Sequence, residues 1–121
     1  MDFTIETQDF ITIIRITGAI GGGEDVRRFQ AAIQQCLQEE RRVFLVSCKQ
    51  VAHINSTGLG ILVAALTAVK NAGGRFVLCD TEPIDPVLQV TRMQSVFENQ
   101  YDEAYALQLL QKEEWKRGRK Q

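Results

Sequence analysis

Residues 43–74 read VFLVSCKQVAHINSTGLGILVAALTAVKNAGG, and a change of hydrophobic period inside that stretch decides the fold. Val43 to Cys48 is an almost unbroken apolar run too short for a helix, as expected of a strand covered on both faces in a parallel sheet. It should be central. From Ser56 to Ala72 the period lengthens: Leu59, Leu62, Val63, Leu66 and Val69 form one stripe, and Ala64, Ala65 and Ala68 supply small, strongly helical neighbours. Gly73-Gly74 then gives a left-handed stop. The pair reads as a buried strand feeding an amphipathic helix.

Outward from this unit the same grammar repeats. Upstream, Val26, Phe29, Ile33, Cys36 and Leu37 recur at steps of three and four and predict a helix over Glu24 to Glu40. Before it, Phe3 to Glu6 and Phe10 to Ile16 are rich in β-branched and aromatic residues, with Thr7-Gln8-Asp9 between them as a turn, and predict an antiparallel hairpin. Four glycines within Gly18 to Gly23 leave room for a short separate strand at Ala19-Ile20 and a flexible loop. Downstream, Arg75 to Cys79 repeats the short buried strand. A third helix is expected over Glu82 to Val96 around Ile84, Val87, Leu88 and Thr91, a short edge strand within Val96 to Tyr101, and a fourth helix from Asp102 to about Lys116. The class implied is α/β in one domain: a mixed sheet of four to five strands with an N-terminal antiparallel hairpin and about four helices.

The totals fit one such body. The chain has 121 residues, 45% hydrophobic and 24% charged, with two prolines and a formal net charge of -1. A near-neutral balance gives no global attraction to nucleic acid or anionic lipid, so neither is an expected partner. The longest uncharged stretch, Val51 to Val69, is interrupted by His53, Asn55, Ser56 and Thr57 and falls short of the roughly 18 consecutive apolar residues of a membrane span. The N-terminus lacks the basic start of a signal peptide, and a cytoplasmic location is the expectation. Cys36, Cys48 and Cys79 are odd in number, widely spaced and set in apolar elements, a pattern of buried thiols. With one histidine, His53, and no Cys at a ligand spacing, no metal site is expected, and no cofactor either.

The segment Asn55-Ser56-Thr57-Gly58-Leu59-Gly60, between the central strand and the second helix, resembles the signature of the STAS family. There an Asp, a Ser, a Ser or Thr and then Gly-Leu-Gly open a helix, and the order of elements from about Phe3 to Leu110 matches as well. The resemblance implies a STAS domain over residues 1–111, followed by a charged tail over residues 112–121. It implies a non-catalytic regulator of the anti-sigma factor antagonist type, with an anti-sigma factor that is also a serine kinase as its partner and a phosphatase as a second one. The kinase would turn it off by phosphorylating Ser56, with Thr57 as second choice. Gly21, Gly22, Asn55, Ser56, Thr57, Gly58 and Leu59 would meet the partner, and Gly58 and Gly60 would let its backbone approach closely. A monomer or weak homodimer is expected. At two positions where antagonists carry an acid, this chain has Asn55 and Gly21. That motivates the alternative, an unphosphorylated STAS scaffold in a signalling assembly or in transporter regulation.

Plainer readings stand beside these. Asn, Ser and Thr are favoured helix N-caps in any α/β protein, so Asn55-Ser56-Thr57 is also explained by capping. Gly21-Gly22-Gly23 fits a loose connection as well as a phosphate cradle. The segment lacks the lysine and spacing of a P-loop. His53 could serve as a base near Ser56, but no Asp or Glu close in sequence orients it, and it reads as a partly buried loop residue. The basic run Trp115-Lys116-Arg117-Gly118-Arg119-Lys120 fits a frayed, solvated terminus. A small α/β enzyme or nucleotide binder is the third class, weakened by the lack of an oriented nucleophile–base pair.

Overall fold

A computed structural model describes the backbone of residues 1–119 and the side chains of residues 1–113. The reading of the basic run as a solvated terminus lies outside the described side chains. Five strands and four helices alternate: β1 (Asp2–Gln8), β2 (Ile11–Ile20), α1 (Glu24–Gln38), β3 (Val43–Ile54), α2 (Ser56–Asn71), β4 (Arg75–Cys79), α3 (Asp85–Val90), β5 (Glu98–Gln100) and α4 (Glu103–Arg119). The sheet order is β1-β2-β3-β4-β5. Only the β1–β2 pair is antiparallel, and β3 is central as its apolar run requires.

The sheet is covered on both faces, which explains why β3 and β4 lack a polar side. Phe44, Val46, Phe76 and Leu78 pack with Phe29 and Ile33 of α1, Leu62, Leu66 and Val69 of α2 and Leu88 of α3. The alternate residues Val43, Leu45, Val77 and Cys79 join Ile11 and Ile13 beneath Ala106 and Leu110 of α4. Phe3 extends the first layer to the hairpin by an edge-on contact with Phe29, centroids 5.4 Å apart.

Four expectations are corrected. There is no separate strand at Ala19-Ile20: both residues belong to β2, which pairs in parallel with the far end of β3. That end was unexpected too, since β3 continues past Cys48 to Ile54. Register shifts between Arg15 and Thr17 and between Gly18 and Ala19 let Val51 and Ile54, three apart, both face inward, so no alternation was visible in sequence. The third helix is Asp85–Val90 rather than Glu82 to Val96. Pro86 sits in its first turn, and Arg92 takes a left-handed backbone (φ 59°) while Met93 N–H donates to Leu88 O, closing the helix without a glycine. The hairpin turn is tighter than expected, with Gln8 opposite Ile11 and Asp9 at φ 55°.

Candidate functional site

Because β2 and β3 run parallel and end together at Ile20 and Ile54, the starts of the helices that follow them, α1 and α2, come to the same end of the sheet. Asn55 links β3 to α2. Its N–H donates to Ile20 O (3.4 Å), its carbonyl accepts from Leu59 N–H (2.9 Å), and its side-chain Oδ1 accepts from Gly58 N–H (2.8 Å). This is the geometry of an N-cap, so the capping reading of Asn55 holds. Ser56 and Thr57 follow in the first turn and both are exposed. That turn contains no acidic residue, so the partial positive charge of the α2 terminus is uncompensated by a carboxylate of its own.

The glycines divide by role. A Cβ on Gly58 would lie 2.1 Å from Ile20 O, so this residue is glycine because α2 is pressed against the end of β2. Gly58 and Leu59 are both buried, Leu59 in the core cluster. The close approach expected there for a partner's backbone is therefore taken by Ile20, an anchor that the sequence did not flag. Gly60 is exposed, with nothing within 4 Å of a Cβ. Gly21 and Gly22 are half-buried, and a Cβ on Gly22 would meet Thr57 Cγ2 at 3.0 Å. The β2–α1 loop thus abuts the start of α2 at Gly22 and Thr57, next to Asn55 and Ser56, while Gly58 and Leu59 are buried and Gly60 is exposed further along α2. The methyl of Thr57 turns toward Gly22.

His53 is exposed and lies on β3 opposite Ala19, which corrects the expectation of a partly buried loop residue. Among the described residues, no hydrogen bond or ion pair connects it to Ser56. The three cysteines are buried free thiols. Burial pushes the Cys48 thiol up to about 12, with Asp80 and Asp85 adding to the effect, and raises Cys79 as well. Among the described residues, no group of three His, Cys, Asp or Glu converges to hold a metal ion. Nor is any described helix long and apolar enough to cross a membrane.

Solved structures share this architecture at low sequence identity. A candidate anti-sigma factor antagonist from Thermotoga maritima superposes with a TM-score of 0.78 at 21% identity, over 90% of this chain and 94% of that one. A STAS domain protein described as an anti-sigma-factor antagonist, from Planctomyces limnophilus, gives 0.73 at 20%, covering 91% and 98%. The Bacillus cell fate determinant SpoIIAA in its phosphorylated form gives 0.69 at 16%, covering 89% and 99%. These likenesses establish the fold. A family model, the STAS domain, matches residues 2–104, so the chain belongs to the STAS domain family.

Proposed function

We propose that this chain is a partner-binding regulator of the anti-sigma factor antagonist type, working in the cytoplasm, whose docking surface is the start of α2 with the adjoining β2–α1 loop. Phosphorylation of Ser56, with Thr57 as second acceptor, switches it off. The observation that carries this reading is the pair of exposed hydroxyls in an acid-free first turn, held rigidly by the Asn55 cap and the Gly58–Ile20 contact. A phosphate there lies at the positive end of α2, near unpaired N–H groups. Ser56 is preferred because Thr57 leans on Gly22. The names of the structural relatives support the same reading, since they are antagonists of anti-sigma factors, one of them solved in both unphosphorylated and phosphorylated forms.

The switch needs no refolding. Asn55, Ser56 and Thr57 carry no charge, so a partner that satisfies their hydrogen bonds can cover them without desolvating an ion. Phosphate adds about -1.5 to -2 charges to the patch. A differential cost of roughly 3 kcal/mol lowers affinity about a hundredfold. The partner is an anti-sigma factor with serine kinase activity, and a phosphatase resets the domain. Calorimetric titration of that kinase from the source organism into the wild-type chain and into Ser56→Asp tests this. Micromolar or tighter binding to wild type, weakened at least tenfold in Ser56→Asp, is the expected result. Equal affinity for both would reject the switch and favour a constitutive scaffold, the reading that Asn55 and Gly21 suggest by leaving the patch without acids.

A further inference from the structure

The sheet has two edges built differently. β5 is three residues long, and Tyr101 follows it directly. β1 is seven residues long, paired with β2 in unbroken register from Asp2 to Gln8, with neither proline, glycine nor bulge, and no described element pairs with its outer side. Long flat edges with free backbone groups are templates for another strand, and proteins blunt them with bulges, prolines or charges. Only Asp2 and Glu6 could do so here. Both are drawn back to the chain's own arginines: Glu6 to Arg15 Nη1 at 2.9 Å, and Asp2 to Arg28 Nη2 at 3.5 Å. At the centre stands Ile5, 42% exposed and, among the described residues, the exposed large hydrophobe that lies in a strand.

We propose that β1 is a self-association edge, at which two copies of this chain pair their β1 strands antiparallel about a two-fold axis at Ile5. The five-stranded sheets then join into one continuous sheet. The register follows from face and charge. A two-fold axis normal to the sheet keeps each face on its own side, so directly opposed residues must be both odd or both even in number. Centring on Thr4 sets Asp2 opposite Glu6, and centring on Glu6 sets that residue opposite its own copy; both oppose like charges. Centring on Ile5 opposes Ile5 to Ile5, Phe3 to Thr7, Thr4 to Glu6 and Asp2 to Gln8, with no acid facing an acid. The Phe3–Ile5–Thr7 row lies on the α1 side, where Phe3 already packs on Phe29, so pairing extends that core layer across the axis.

One strand pair is a small interface, in the weak class of association. Sedimentation equilibrium of the full chain should therefore show a monomer at low micromolar and a growing dimer toward about 1 mM. Ile5→Lys places two ammonium groups face to face and should abolish the dimer while leaving the thermal midpoint within a few degrees. Ile5→Cys should form a disulfide-linked dimer under mild oxidation, whereas Gln8→Cys, about 20 Å from its counterpart in this register, should not. A monomer throughout, a dimer that survives Ile5→Lys, or equal cross-linking at both positions would overturn the proposal.

Discussion

Gly58 carries the tightest steric demand at the site. A methyl group there collides with the Ile20 carbonyl, which is backbone and cannot swing aside. Gly58→Ala should cost about 3 kcal/mol in chemical denaturation, whereas Gly60→Ala, with open space around it, should be neutral or stabilising by up to about 1 kcal/mol. A smaller cost at Gly58 than at Gly60 would contradict the packing. Asn55→Ala should lose about 1 kcal/mol with the cap, and Asn55→Asp should keep it, because a carboxylate accepts from Gly58 N–H equally well and suits the helix terminus. The cap was legible in sequence because Asn before a periodic run signals it. The internal role of Gly58 was not, since the strand end it meets lies 38 residues earlier, at Ile20.

At the scale of elements, the apolar runs are self-announcing where burial is complete. β4 falls at Arg75–Cys79 as its run predicts, and α2 spans its stripe almost end to end. The reading failed where local irregularity governs: the bulges that carry β3 to Ile54, and the left-handed Arg92 that ends α3 early. Burial of the thiols within β3, β4 and α1 makes a direct prediction. At pH 8 a thiol reagent should leave the native chain essentially unmodified and titrate all three cysteines once it is unfolded. Rapid native reaction of any of them would show that its element opens. At the β4–β5 edge, hydrogen bonds from Arg75 hold the Glu98 carboxyl below its usual range, against the opposing effect of partial burial. A carboxyl lowered on folding stabilises the fold fully above its unfolded value, and that stability is lost as pH falls through the folded one. Glu98→Gln should therefore destabilise by up to about 1 kcal/mol near pH 7, screened by solvent, with the difference fading at acid pH. A gap that widens on acidification would show that the ion pair is not its source.

For the molecule as a whole, the class and the mixed sheet could be read from the alternation of periods, because each strand–helix unit must bury its own apolar stripe; the place of the proposed site came only from the likeness of Asn55 to Gly60 to the STAS signature. What stayed hidden was which of the motif's residues face outward. The sequence reading put Gly58 and Leu59 among the partner-facing residues; tertiary packing buries both and leaves Ser56 and Thr57 exposed. Everything proposed for function rests on those hydroxyls being modified in the cell. Intact-mass and tandem mass spectrometry of the chain purified from its native host, with phosphatase-treated material as control, examines this directly. The account predicts one phosphate, localised to Ser56 or secondarily to Thr57, and lost on phosphatase treatment. An unmodified chain under both growth and stress conditions, or a phosphate on another element, would contradict it.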